Sequence, residues 1–118
     1  MPVLIVTSSL EPEPAFLDRL AEVVAGHLEV PTPRVMVFHV PASSRMGGVS
    51  DPVALVEVRS ARRLEPAATG DLVTDLVREV RRSLAIAETR IYVQIEPRDG
   101  LSLWRSENGE ALHARPVS

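Results

Sequence analysis

The chain contains no cysteine, which excludes disulfides, thiolate metal sites and thiol catalysis. Aromatic residues make up only 3%. The core therefore has to be built from Val, Leu, Ile and Ala, a composition that suits strands packed under helices better than an aromatic-rich barrel. There is no basic surplus: the net charge is −3 at neutral pH and the isoelectric point is about 5.6. Little is available to neutralise phosphates, so nucleic acid is not an expected partner. Long hydrophobic runs are also missing. The opening MPVLIVTSSLEPEP has no basic leader region, and its apolar run extends only from Val3 to Val6. It reads as neither a signal peptide nor a membrane span, and a cytoplasmic protein without membrane contact is expected. No Gly-rich phosphate loop, nucleophilic-serine context or carboxylate pair is present, and no cofactor is expected.

What is present is a pattern written twice. The 118 residues fit one domain. A chain of this mass buries roughly two thirds of its unfolded surface, a modest core that association would help. Leu28 to Pro41 aligns without gaps onto Leu84 to Pro97: Leu28/Leu84, Arg34/Arg90, Val37/Val93 and Pro41/Pro97 are identical, and Val30/Ile86 and Val35/Ile91 are conservative. Upstream, Pro2-Val3-Leu4-Ile5-Val6 resembles Pro52-Val53-Ala54-Leu55-Val56. The halves are 1–50 and 51–105, and a loose tail is expected over 106–118.

Each half reads as strand, helix, strand. Residues 3–8 are a short apolar, β-branched run. Phe16, Leu17, Leu20, Val23, Val24 and Leu28 mark a helix over 14–28 by their spacing, with Pro12 and Pro14 at its entrance. Strands are expected at 34–41 and 53–59. A second helix over 70–84 places Leu72, Val73, Leu76, Val77, Val80 and Leu84 on one face, with Asp71 near the start and Arg81 and Arg82 near the end, as the helix dipole favours. Residues 90–96 form the last long strand. Between the halves, Ser43 to Ser50 with Gly47-Gly48 is a turn or hairpin. After them, a short strand near 101–105 precedes a polar turn at 106–110 and is free to add to a neighbour's sheet edge.

A strand–helix–strand unit of this length is a parallel crossover. Two of them give an α+β fold: duplicated β-α-β units in a four-stranded mixed sheet with two helices on one face. The strands Val35–Phe38 and Ile91–Val93 show little polar alternation, so their second face also needs cover. No third layer is encoded, so the cover has to be other subunits, and a homo-oligomer follows.

Several residues now align with a known pattern: Met1-Pro2 before an apolar strand, Val37-Phe38-His39-Val40, Gly47-Gly48-Val49-Ser50-Asp51-Pro52 ahead of the second half, and Arg90-Ile91-Tyr92-Val93. Up to about Trp104 the chain resembles the tautomerase superfamily, and within it the macrophage migration inhibitory factor group. The resemblance implies a homotrimer of double β-α-β subunits with active sites near the interfaces. It implies keto–enol tautomerisation of a small-molecule α-keto acid such as phenylpyruvate, with the amino-terminal proline at the base of each site.

On that resemblance Pro2 is the catalytic candidate. Once Met1 is removed, its nitrogen is a secondary amine, and desolvation at the end of a strand favours the neutral form. A base poised near neutral pH is what shuttling a proton between carbon and oxygen requires. With Met1 attached, the same nitrogen is an amide with no useful basicity. Pro52, its counterpart in the second half, is an internal amide in any case.

The resemblance also makes Tyr92, supplied by a neighbouring subunit, and Gln94, where the group often has asparagine, substrate-binding candidates. Ala61 matches a pocket position, and Trp104 aligns loosely with a tail tryptophan near the pocket mouth. The group's substrate-binding lysine is replaced here by Pro31. A carboxylate site needs a cation or several N–H donors, and Arg34, Arg62 and Arg63 are the local alternatives. Against the binding roles stand a core tyrosine on a strand and a solvated Arg62-Arg63 loop pair. His39 reads as a packed, hydrogen-bonded strand residue with no ligand-spaced partner, so no metal is expected; His27 and His113 read as surface residues. Two other functions remain open: a non-catalytic trimeric binding or signalling protein, and a hydratase or dehalogenase using a protonated Pro2 beside arginines. The latter would need a water-activating glutamate, for which Glu57 and Glu96 are the strand carboxylates.

Overall fold

A computed structural model describes residues 2–97, 104–108 and 110–113. In chain order the elements are β1 (Val3–Ser8), α1 (Pro14–Leu28), β2 (Met36–Pro41), β3 (Ala54–Ser60), α2 (Pro66–Leu84), β4 (Ile91–Pro97), β5 (Trp104–Glu107) and β6 (Glu110–His113). The first four strands form one mixed sheet in the order β2-β1-β3-β4. β1 runs parallel to β2 and antiparallel to β3, and β3 runs parallel to β4. This is the expected α+β architecture.

Alternation along each strand sorts the sheet into two faces. Leu4, Val6 and Ser8 of β1 and Ala54, Val56, Val58 and Ser60 of β3 are buried, toward the helices. Phe16, Leu20, Val24 and Leu28 of α1 cover them, together with Leu72, Leu76, Val80 and Leu84 of α2, all buried in one cluster. These are four matching positions per helix, so the duplication is visible in the core itself. Truncating any of these leucines to alanine would cost about 2–5 kcal/mol.

The register corrects one part of the repeat. Met36 stands beside Val3, and its counterpart Tyr92 stands beside Leu55. Val3 therefore matches Leu55, Pro2 matches Ala54 and not Pro52, and Ser8 matches Ser60. The two latter serines are the buried polar residues of the core. The proline alignment compared a residue leading into β1 with one lying in the loop before β3.

The boundaries differ modestly from those expected. β2 and β4 start at Met36 and Ile91 because Thr32–Arg34 and Glu88–Arg90 each close a single 3-10 turn first. α2 starts at Pro66 rather than 70, since proline at N1 lacks only an N–H that the first turn leaves unused. The Ser43–Ser50 segment is a tight hairpin. Met46 and Val49 exchange backbone hydrogen bonds of 3.0 and 3.1 Å, and Gly47 and Gly48 between them both take positive φ, 62° and 79°, as a two-residue hairpin turn requires. β5 and β6 pair with each other, with Glu107 beside Glu110.

The second sheet face is open within one chain. Phe38, Val40 and Tyr92 are 51, 43 and 48% exposed there. Among the described residues no helix is long and apolar enough to cross a membrane.

Candidate active site

Pro2 is fully buried at the entrance to β1, and its carbonyl accepts a hydrogen bond of 3.0 Å from the Met36 N–H. Continuing the registers by one residue sets Pro2 between Val35 and Ser60. Ser60, 8% exposed, accepts a hydrogen bond of 3.1 Å at Oγ from the Arg62 N–H, which turns the chain after β3 back over this end of the sheet. Pro2, Ala61, Arg62 and Arg63 are thereby brought to one end of the fold. Ser60 joins them, although the sequence did not single it out. Its signal was the match to Ser8, hidden by the shifted alignment. Met1 lies outside the described residues.

The two neighbouring arginines separate here. The Arg62 guanidinium donates to the Leu28 carbonyl at 2.7 Å and to the Glu29 carboxylate at 3.3 Å. It closes the C-terminus of α1, where unpaired carbonyls and the helix dipole favour a cation. Arg63 is exposed, and its guanidinium has no partner among the described residues. It lines a cavity of about 220 Å³ with Leu28, Val58, Ser60, Leu72 and Ile95, on the helix side of the sheet.

Tyr92 and Gln94 are elsewhere. Both are on the open face, and Tyr92 stands beside Leu55, which stands beside Thr7. Thr7 is five strand steps from Pro2, about 17 Å, and β4 is two strands across from β1, about 10 Å. Tyr92 and Pro2 of the same chain thus do not share a site. A site using both needs two chains. The Gln94 amide donates to Glu96 Oε1 at 3.0 Å. Trp104 opens β5, and its side chain lies outside the described residues.

Glu57 and Glu96 are engaged by one arginine. Arg59 meets Glu57 at 2.9 Å and Glu96 at 3.6 Å, all three on the open face. His39 is packed as expected. Ser8 Oγ donates to the Leu10 carbonyl at 3.0 Å, so its lone pair accepts from His39 Nε2 at 3.1 Å. His27 departs from expectation: it is half-buried, and its Nε2 is 2.7 Å from Asp75 Oδ2, tying α1 to α2. The His113 side chain lies outside the described residues. Among the described residues no three His, Asp or Glu side chains are grouped to hold a metal ion.

With this geometry in hand, comparison with solved structures is decisive for the fold. A macrophage migration inhibitory factor from Trichinella spiralis superposes with a TM-score of 0.80 at 20% identity, covering 93% of this chain and 99% of that one. The factor from Oncomelania hupensis gives 0.82 at 24%, covering 98 and 87%. A homologue from Prochlorococcus marinus gives 0.80 at 21%, covering 92 and 97%.

The chain has the macrophage migration inhibitory factor fold.

No protein-family profile matches this sequence, and no curated protein matches it. The likeness to these factors is therefore carried by the sheet register and the packed helices, and it spans nearly the whole of both chains.

Proposed function

We propose that the protein is an isomerase that interconverts the keto and enol forms of an α-keto acid such as phenylpyruvate, with Pro2 as general base. The observation that carries this reading is the burial of Pro2 at the head of β1, beside Ser60 and under the arginine-bearing loop 61–63, in a chain with the fold of the migration inhibitory factors. Burial of a free secondary amine favours its neutral, proton-accepting form. The nitrogen takes a proton from the carbon next to the ketone, the electron pair moves into the new C=C bond, and the former carbonyl oxygen takes up a proton as the enol forms. The reverse step returns the proton to carbon, so no co-reactant is consumed.

The assembly in this reading is a cytoplasmic homotrimer. Its subunits cover one another's open apolar faces and bring Tyr92 and Gln94 of one chain toward Pro2 of the next. The hydratase or dehalogenase alternative is less well supported, because Glu57 and Glu96 are both ion-paired to Arg59.

Intact-mass measurement comes first, and the expected result is a chain lacking Met1. Phenylpyruvate tautomerisation is then compared between this protein and Pro2→Ala. A loss of about a hundredfold or more is expected for removal of a positioned general base. Equal, low activity in both would favour a non-catalytic binding protein, and retained Met1 would remove the base altogether.

A further inference from the structure

We propose that the basin at the carboxyl ends of β1 and β2 binds a phosphate group, free or carried by a small molecule, with Arg45 as its cation and serine hydroxyls as its donors. The basin is about 440 Å³ and is lined by Ser9, Ser43, Ser44, Arg45 and Ser50. It lies at the opposite end of the sheet from Pro2. Ser8 and Pro2 are separated by the length of β1, about 20 Å, so the site stands apart from the tautomerase reading.

The fold gathers these residues from three places. Ser9 follows β1 and Ser43 follows β2. The two parallel strands end level, with Ser8 beside Pro41 and the Ala42 N–H donating to the Ser8 carbonyl at 3.1 Å. Ser50 comes from the far side of the Gly47-Gly48 turn. Arg90 fixes its segment, because its guanidinium donates to the carbonyls of Val49, Asp51 and Pro52. No local motif joins Ser9 to Ser50, so only the folded chain shows the cluster.

Two observations point to a ligand. The Ser44 Oγ is enclosed and has no hydrogen-bond partner among the described residues, whereas enclosed hydroxyls are nearly always bonded. Arg45 uses one N–H on the Gly48 carbonyl at 3.4 Å, which ties it to its own hairpin. Its other N–H groups have no partner among the described residues, and neither do the hydroxyls of Ser9, Ser43 and Ser50. The lining holds a guanidinium and four hydroxyls, with no carboxylate and no large apolar side chain.

Donors converging from several strand ends suit an anion with several oxygens. A carboxylate offers two, in one plane; a phosphate monoester offers three, around a tetrahedron, with a charge near −2 at neutral pH. A chain of net charge −3 is poorly matched to a polyanion, but a single phosphate needs only one local cation. The basin is also wider than a phosphate group, which leaves room for a carbon body.

The test is an amide NMR titration of the full chain with inorganic phosphate and with phenyl phosphate. Saturable shifts are expected at Ser9, Ser43, Ser44, Arg45 and Ser50. Arg45→Ala should weaken binding about tenfold or more, the loss of a charged hydrogen-bonding partner, and Ser44→Ala about threefold. Arg45→Lys should keep part of the affinity. Arg78→Ala, which removes a cation paired with Asp75 on α2, should leave it unchanged. The same spectra report whether each variant is folded. Tighter binding of phenyl phosphate would identify a phosphate monoester as the ligand, and equal affinity would identify free phosphate; both support the site. The proposal is overturned if these amides do not shift, if their shifts fail to saturate, or if Arg45→Ala binds as tightly as the native protein. Shifts confined to the Pro2 end would overturn it as well.

Discussion

Arg62 and Arg63 are adjacent and identical in type, yet the fold gives them different surroundings. Nothing in the sequence distinguishes them, because the distinction comes from the end of α1, more than thirty residues away, arriving beneath the loop. Arg62 spans two halves of the chain by bonding Leu28 and Glu29; Arg63 bonds nothing among the described residues. Arg62→Ala should therefore lower the free energy of unfolding by about 1–2 kcal/mol, since it strands a helix-end carbonyl and removes a charged donor. Arg63→Ala should change it by less than about 0.5 kcal/mol, as surface substitutions do. Urea titration of both variants is the measurement, and similar losses would contradict the division. The candidate site was legible at this scale only in part. Pro2 could be named from the sequence because its proposed chemistry depends on chain position. Ser60 could not, because its importance comes from a register that sequence alignment placed two residues away.

The elements were the most legible level, because their signals are local. Helical spacing in Phe16/Leu20/Val24/Leu28 and Leu72/Leu76/Val80/Leu84 does not depend on what the helices pack against. The starts of β2 and β4 were less legible, since a 3-10 turn and a strand draw on the same residues at Thr32–Arg34 and Glu88–Arg90. The two helix ends show the duplication again. Glu29 and Ala85 are both left-handed, each with φ 54°, and each ends its helix where glycine would be at ease. At Ala85, which is exposed, Ala85→Gly should stabilise the protein by about 0.5–1 kcal/mol, relief of left-handed strain less the added entropy of the unfolded chain. A rise in the thermal midpoint of a few degrees would be its signature. Glu29→Gly should gain less, because it also removes the carboxylate that Arg62 contacts. A destabilised Ala85→Gly would mean that the strain is already relieved in solution.

At the scale of the molecule, the open sheet face connects architecture to chemistry. Phe38, Val40, Leu55 and Tyr92 are large apolar residues left exposed on it, with Val3 and Ile5 of β1 between the strands that carry them. The lack of polar alternation in β2 and β4 encoded this face, but only as a need for cover; the partner's geometry is written nowhere in a single chain. On the proposed reading the cover is two further copies. The same contacts then bring one chain's Tyr92 to another's Pro2, which lie too far apart within a chain. Stability and activity should consequently fail together. A Phe38→Asp, Val40→Asp double variant places two carboxylates where apolar surface has to be desolvated, at a cost that the assembly cannot offset by pairing. Light scattering should show the native protein at about three times the 12.9 kDa chain mass and the variant near that chain mass. Its helical circular dichroism should be retained, because both positions lie away from the helix-facing core. Tautomerase activity should fall with the mass and return when the variant is concentrated enough to reassociate. A monomeric variant with full activity would show that Pro2 works without a neighbour's Tyr92, and a variant that stays trimeric would show that the subunits meet through another surface.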